Sequence, residues 1–349
     1  MLGDFSVGHR SIEESQAQPE NLVITDTRDV IESQALGVFL STNYDITDRL
    51  ELTAAARWDQ VDVDTRFVGE DPNLINLPDA SAARQFDEFQ PKFNLAYSVN
   101  QNATVYVDLA RGFRTGVPNP TSAFAGGLPR FIEPEVADTL ELGVKNTFWN
   151  DRASLNAAVF SSGVENRHHY FYGAALQSMT TYDEAHISGL EMDFEGFLTD
   201  HLRFSASLGV MNAEITSDEI TQYRDFTTGE VALVVNNKGN TLPDTPETSY
   251  NLALIYDRPV FGNTNFFGRV AYAHVYEMFF DTENYIRNLG ASSYVDARLG
   301  LRNERWDVVA FGDNLTDERN YSNYAYSGQA GNYLPNQPRT YGIEVQVRL

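Results

Sequence analysis

Apolar and polar residues alternate along this chain with a period of two. The last ten residues show it plainly: Tyr341, Ile343, Val345, Val347 and Leu349 interleave with Gly342, Glu344, Gln346 and Arg348. Successive strand side chains point to opposite faces, so the pattern specifies strands with one apolar and one polar side. In LRFSASLGV, Leu202, Phe204, Ala206, Leu208 and Val210 oppose Arg203, Ser205, Ser207 and Gly209. In YVDARLGLR, Val295, Ala297, Leu299 and Leu301 oppose Asp296, Arg298, Gly300 and Arg302. About fourteen such runs are present, with almost no helical periodicity between them. Each is roughly 10 residues or longer, the length that crosses a bilayer at a tilt.

The connections alternate in length. Short ones rich in Asn and Asp fall at 44–50, 99–103, 149–152, 198–202, 257–263 and 302–305. Long ones lie near 10–31, 68–84, 115–135, 216–245, 280–291 and 316–338. Asn and Asp tolerate turn dihedrals and bond their own backbone, which explains the short set. A tight hairpin at every second connection puts all the tight turns on one side of a sheet.

Aromatic residues gather beside the tight turns. Tyr44, Tyr97, Trp149, Phe197, Tyr256 and Trp306 each lie within a few residues of one, as do Phe148 and Phe261. Amphipathic rings favour a membrane–water boundary, so this set predicts an aromatic girdle on one rim. Phe67, Phe113, Phe160 and Tyr276 are expected on the opposite rim.

The predicted fold class is all-β: a transmembrane antiparallel up-and-down β-barrel of about 14 strands. The alternative is a soluble β-sandwich, such as a carbohydrate-binding or adhesin module, whose apolar face packs a core. Its strands average about 5–6 residues and its two ends do not differ in loop length. The net charge is −24 and the sequence pI about 4.5. A phosphate-binding surface needs clustered Lys and Arg, so no nucleic-acid partner is expected. There are no cysteines, hence no disulfide framework and no thiolate metal site. No window is apolar enough for a transmembrane helix, and the start MLGDFSVGHR does not read as a signal peptide.

Several stretches resemble the C-terminal barrel of TonB-dependent outer-membrane receptors. They are ARGFRTGVPNP (110–120), EPEVADTLELGVKNTFWNDRASLNAAVF (133–160), ISGLEMDFEGFLTDHLRFSASLGVMNAEI (187–215), and FGDNLTDERNY (311–321) followed by PRTYGIEVQVRL (338–349). Their order and spacing carry the resemblance, which covers essentially residues 32–349. It implies that residues 1–349 are a partial version of a 22-strand receptor barrel, with no plug domain and no signal peptide in the chain. It implies localisation in the outer membrane of a Gram-negative bacterium. It implies uptake of a scarce bulky nutrient, most often a ferric siderophore or similar chelate. The implied partners are outer-membrane lipid, the TonB energy-transducing protein acting through a region outside the barrel, and the outer-membrane insertion machinery. That machinery would read Tyr341, Ile343, Val345, Val347 and Leu349, although the family's last residue is usually aromatic. A plug-less porin-like diffusion channel is the other membrane reading.

One stretch, ENRHHYFYGA (165–174), carries candidate ligand chemistry. His168, His169, Tyr170 and Tyr172 are expected at the outer end of a strand, where rings and imidazoles can stack on or coordinate a chelate. Neighbouring strand residues point to opposite faces, which argues against both imidazoles sharing one metal. Arg114 completes the candidate ligand set. No enzyme is expected: no phosphate loop and no HExxH motif occurs, and carboxylate pairs arise by chance in a polar lumen. No cofactor and no resident metal are expected.

Overall fold

The computed structural model describes residues 10–13, 22–69, 80–125, 127–173, 176–218, 220–224, 231–288, 290–327 and 330–348. In chain order the strands of the main sheet are β1 (Arg10–Glu13), β2 (Leu22–Thr47), β3 (Leu50–Gly69), β4 (Ala82–Asn100), β5 (Ala103–Arg114), β6 (Glu135–Phe148), β7 (Ala153–Gly173), β8 (Leu176–Phe197) and β9 (Leu202–Ile215). They continue, past a separate hairpin of β10 (Ile220–Arg224) and β11 (Val231–Asn236), with β12 (Thr248–Phe261), β13 (Thr264–Val275), β14 (Ser292–Arg302) and β15 (Trp306–Asp313). A second hairpin, β16 (Tyr321–Ser327) with β17 (Ala330–Pro335), precedes the last strand, β18 (Thr340–Val347). One short helix, α1 (Thr121–Ala125), lies between β5 and β6.

The main sheet has 14 strands in the order β1-β2-β3-β4-β5-β6-β7-β8-β9-β12-β13-β14-β15-β18, all antiparallel neighbours. This is the all-β up-and-down architecture expected from the alternation. Among the described residues no ladder joins β18 to β1 or β2. The two inserted hairpins form separate two-stranded sheets inside spans expected to be loops, 216–245 and 316–338.

Side-chain chemistry closes the tight turns. The Asn102 N–H donates to Asn100 Oδ1 at 2.8 Å, the Leu202 N–H to Thr199 Oγ1 at 3.0 Å, and the Trp306 N–H to Asn303 Oδ1 at 2.9 Å. At the fourth such turn Trp149, Asn150 and Asp151 all have left-handed φ, at 56°, 55° and 62°. The opposite edge carries the long connections, with two differences from expectation. β7 and β8 run on for 21 and 22 residues, continuing as a strand pair above the span expected to cross the membrane. Likewise β2 begins at Leu22, inside the span expected to be a loop. Pro91, which has no N–H to donate, lies where the β4–β5 ladder ends at Lys92↔Ala110.

The register sorts the sheet into two faces. Leu40, Ala56 and Pro91 stand in one cross-strand row, and Val38, Trp58 and Phe89 in the next. On this face Leu40 is 74% exposed, Leu142 50% and Leu299 54%, so no second layer of protein covers it. That excludes the soluble sandwich. The apolar belt on β2 runs from Ile46 to Leu36, then gives way to Gln34 and Glu32. Ten residue steps cover about 33 Å, or roughly 23–27 Å along a bilayer normal at a tilt of about 35–45°. That equals the height of the apolar band that spans an outer membrane.

The packed core lies elsewhere. Val164, Tyr182, Ala185, Ala213, Ile215 and Leu242 form a buried cluster above the belt, where the long connection after β9 folds over β7–β9. This core supports the loop end of the sheet.

Candidate functional site

The polar face is a wall of short-range charge pairs. Arg57 binds Asp59 at 2.6 Å, and Gln90 reaches the same carboxylate at 2.6 Å. Lys92 pairs with Asp108 at 3.0 Å and Arg203 with Glu195 at 2.8 Å. Arg302 pairs with Asp257, and Arg348 with Asp307. The Glu-x-Gly-x-Lys run on β6 acquires a physical reason here. Tyr106 on β5 donates its hydroxyl to Glu141 at 2.6 Å, its ring lies beneath the Lys145 ammonium at 5.4 Å, and it fills the space above Gly143. A Cβ at Gly143 would stand 2.3 Å from that ring. Three residues spaced by two thus converge on one ring because they share a strand face.

Above the belt, the connection between β5 and β6 is fastened as a platform. Arg130 is buried; it donates to Thr65 Oγ1 at 2.8 Å, to the Ala80 carbonyl at 2.8 Å and to the Asn119 carbonyl, and it pairs with Asp29 at 3.4 Å. Asp29 also accepts from the N–H and hydroxyl of Thr121, at the start of α1. The Asn119 amide spans two segments, donating to the carbonyls of Pro129 at 2.9 Å and Met179 at 3.0 Å and accepting from the Met179 N–H at 2.8 Å. A planar guanidinium with five donors is suited to such a hub, since each buried acceptor needs a partner.

Glu135, at the base of that platform, gathers Arg167 at 2.9 Å, Arg114 at 3.6 Å and the His168 N–H at 2.8 Å. Burial pushes its carboxyl pKa up, but the His168 N–H and the two guanidiniums outweigh burial and hold it below the usual carboxylate range. Nearby, Arg84 pairs with Glu133 at 2.7 Å, and Arg111 with Asp138 at 2.7 Å and Glu88 at 3.3 Å.

The two histidines take separate places. His168 is buried and its Nε2 meets the Glu133 carbonyl at 2.7 Å, joining β7 to the strand start of β6. His169 stacks on Tyr182 at a ring separation of 5.0 Å and meets Thr282 Oγ1 at 3.3 Å. Tyr182 reaches the same hydroxyl at 2.6 Å, so Thr282 ties the connection between β13 and β14 to the β7–β8 pair. Burial lowers the His169 pKa to about 4, with Glu283 opposing and Arg167 assisting. The imidazole is therefore neutral at ordinary pH. Arg114 is more than half exposed beside Glu135. The side chains of Tyr170 and Tyr172 lie outside the described residues, although the ladder sets these positions opposite Met179 and Gln177. Among the described residues no group of His, Asp and Glu is arranged to hold a metal ion.

The remaining sequence candidates are distributed as follows. Tyr44, Tyr97 and Tyr256 stand on the apolar face next to tight turns, and Trp149 packs edge-to-face on Phe148 at 5.0 Å. Trp306 pairs with Val347 at the same rim. Phe197 pairs with Arg203 at the end of the β8–β9 ladder, which gives it the polar-face parity. Phe160 differs from its expected rim position: its ring turns to the polar face over Gly189. Tyr341, Ile343, Val345 and Val347 form the apolar side of β18, each more than 60% exposed, while Leu349 lies outside the described residues.

Sequence reasoning missed the asparagine pins of the last long connection. Asn314, at φ 51°, donates to the carbonyls of Glu318 and Gln337, both at 3.0 Å. Asn320 donates to Ser292 Oγ at 2.6 Å and Asn336 to the Tyr294 hydroxyl at 3.2 Å. The signal was present in DNLTDERNY, where Asn and Asp cluster at turn-compatible spacing.

A single-layer antiparallel sheet with an uncovered apolar belt, a charged opposite face and tight turns along one edge is the wall of a transmembrane β-barrel. The model of the family described as TonB dependent receptor-like, beta-barrel matches residues 4–315, and the chain belongs to that family. A relative, the probable TonB-dependent siderophore receptor PiuA of Acinetobacter baumannii, is 22% identical over 231 residues, covering 64% of this chain and 29% of its own. The ferric yersiniabactin uptake receptor FyuA of Yersinia pestis superposes with a TM-score of 0.73 at 19% identity, covering 92% of this chain and 46% of that structure. The copper transporter OprC superposes with a TM-score of 0.70 at 16% identity, covering 96% of this chain and 51% of its own. The chain thus spans about half the length of the solved structures it resembles, and the sequence match takes in under a third of PiuA. These likenesses establish the fold.

Proposed function

We propose that residues 1–349 form part of the barrel of an outer-membrane active-transport receptor that takes up a ferric siderophore or similar chelate. The observation that carries the reading is the two-faced sheet. Its apolar belt has the height of the apolar band of an outer-membrane barrel, and its polar face offers a hydrated, charge-paired lumen wall. The relatives named for siderophore uptake support the ligand class. The platform fastened by Arg130 and Asn119, with Arg114 exposed beside it, is where a chelate first meets the protein. His168 braces the β5–β6 connection and His169 the neighbouring contact of Thr282 with the β7–β8 pair, since both imidazoles are already engaged within the fold. Energy comes from the TonB protein through a plug outside the barrel wall, and the apolar side of β18 is the surface read by the insertion machinery.

The test is expression of the chain in a Gram-negative host, followed by membrane fractionation and binding of ⁵⁵Fe-loaded siderophores to intact cells. The reading expects outer-membrane recovery, heat-modifiable gel migration and saturable binding of at least one ferric chelate. Recovery as a detergent-independent soluble protein overturns it.

A further inference from the structure

One cross-strand row of the polar face reads Arg203, Ile255, Arg269, Arg298 and Phe311 across β9, β12, β13, β14 and β15. Arg269 and Arg298 are direct partners in it, and like charges directly opposite each other destabilise a sheet. Arg298 is drawn sideways, over the Phe311 ring at 5.7 Å and toward Asp313 at 4.0 Å. Arg57, Arg203, Arg302 and Arg348, on the same face, each have a closer acid partner. Among the described residues the Arg269 guanidinium has no ion pair and no hydrogen bond, in a chain with 49 acidic and 25 basic residues. The acid one row above it, Asp296, is already engaged by the Asn314 N–H at 2.8 Å.

The unpaired guanidinium faces an open space. It lines a groove of about 460 Å³ in which it is the sole cation among the described residues, beside the hydroxyl and amide groups of Ser205, Ser207 and Asn251 and the carboxylates of Asp193, Glu195 and Asp296. Asp296 also lines a second cavity of about 350 Å³ under the connection between β15 and β18. The two cavities therefore meet at one residue, making a polar track from the loop end toward Arg269.

We propose that Arg269, assisted by Arg298, is a lumenal station for the carboxylate of a small, hydroxyl-rich anionic chelate travelling along that track. A guanidinium fork matches a carboxylate bidentately, and the Ser and Asn lining supplies partners for hydroxyl groups. The flanking carboxylates of Asp193, Glu195 and Asp296 disfavour a densely charged polyanion and select a solute that carries few charges beside its carboxylate. The station deepens the proposed transport role, and it rests on the polar face being a wet lumen wall.

The experiment is equilibrium dialysis of radiolabelled gluconate, a hydroxyl-rich monocarboxylate, against the refolded full chain in detergent micelles at low ionic strength. Arg269→Gln, Arg298→Gln and Arg269→Lys are compared with Arg49→Gln, which removes a charge at a distant tight turn. Folding of each is verified by heat-modifiable migration. The proposal expects saturable binding by the unmodified chain, weakened at least about tenfold in Arg269→Gln, less in Arg298→Gln and Arg269→Lys, and unchanged in Arg49→Gln. Absent binding, or equal loss in Arg49→Gln, overturns the station. Neither result touches the transport reading, which the cell-fractionation and ⁵⁵Fe assays test separately.

Discussion

Leu109 and Arg111 stand two residues apart on one face of β5, and that face changes from apolar to charged between them. Leu109 is 50% exposed with nothing packed over it, whereas Arg111 is clamped to Asp138 at 2.7 Å. The same step separates Leu140 from Asp138 on β6, Phe89 from Asp87 on β4 and Val210 from Asn212 on β9. The register sets Leu109 beside Leu140 and Arg111 beside Asp138, so the boundary passes directly from β5 to β6, and it recurs on the other strands within about two same-face rows of that level. Below it, hydrocarbon can replace a protein core; above it, long strands and connections stand in water.

The boundary sets the cost of a buried charge. Leu142→Arg, in the middle of the belt, is expected to destabilise the chain by about 2–4 kcal/mol in lipid vesicles, against about 0–1 kcal/mol for Gln85→Arg above it. Reversible denaturant unfolding of the two variants measures the difference.

Arg130 holds the platform through donors that no other side chain duplicates. Arg130→Ala leaves Asp29, Thr65 and the Ala80 carbonyl without that guanidinium, at a local cost of about 3–5 kcal/mol. Amide hydrogen exchange in 117–132 should accelerate accordingly. Arg130→Lys should not restore protection, because an ammonium lacks the planar fork.

His169 makes the outer contacts sensitive to acid. Its folded pKa of about 4 lies below the ordinary histidine value of about 6.5, so between those limits the unfolded segment binds more protons. Stability is therefore complete above about pH 6.5 and falls as pH drops toward 4. Protection of the contact between Thr282 and the β7–β8 pair, followed by hydrogen exchange against pH, should show that decline. His169→Phe should flatten it over the same window.

Tyr106 is expected to respond both to loss of its hydroxyl and to crowding of its ring, and the two can be told apart. Gly143→Val forces the ring away and should cost about 1–3 kcal/mol, while Tyr106→Phe removes one hydrogen bond to Glu141, worth about 1.5–3 kcal/mol because the acceptor is charged. Of the two, only Gly143→Val should also release Lys145 from the ring, which the ¹⁵N chemical shift of its ammonium reports.

What the sequence revealed follows from what is local. Alternation in segments such as 202–210 and turn residues such as Asn100 and Asn303 act within a few positions, so strands and tight turns were legible. The upper β7–β8 pair was not, because beyond Val159 and Leu190 its apolar face turns to Ser161, Gly163, Ser188 and His186, and the amphipathic signal fades. The platform was hidden for a different reason. Arg130 meets Asp29, Thr65 and Ala80 across 101, 65 and 50 residues, separations no sequence window spans. His168 and His169 drew notice as adjacent imidazoles, yet their partners Glu133 and Thr282 lie 35 and 113 residues away.

The most direct test places a single environment-sensitive probe on each face, which the absence of cysteine makes simple. Cysteines introduced at Leu109, Leu142 and Leu254, and separately at Asn94, Asn156 and Ser205, are labelled with bimane in vesicles containing brominated lipid. The account predicts strong quenching at the first three positions and little at the second three, where water-soluble iodide should quench instead. Lipid quenching of Asn94, Asn156 and Ser205 with Leu109, Leu142 and Leu254 protected would contradict it.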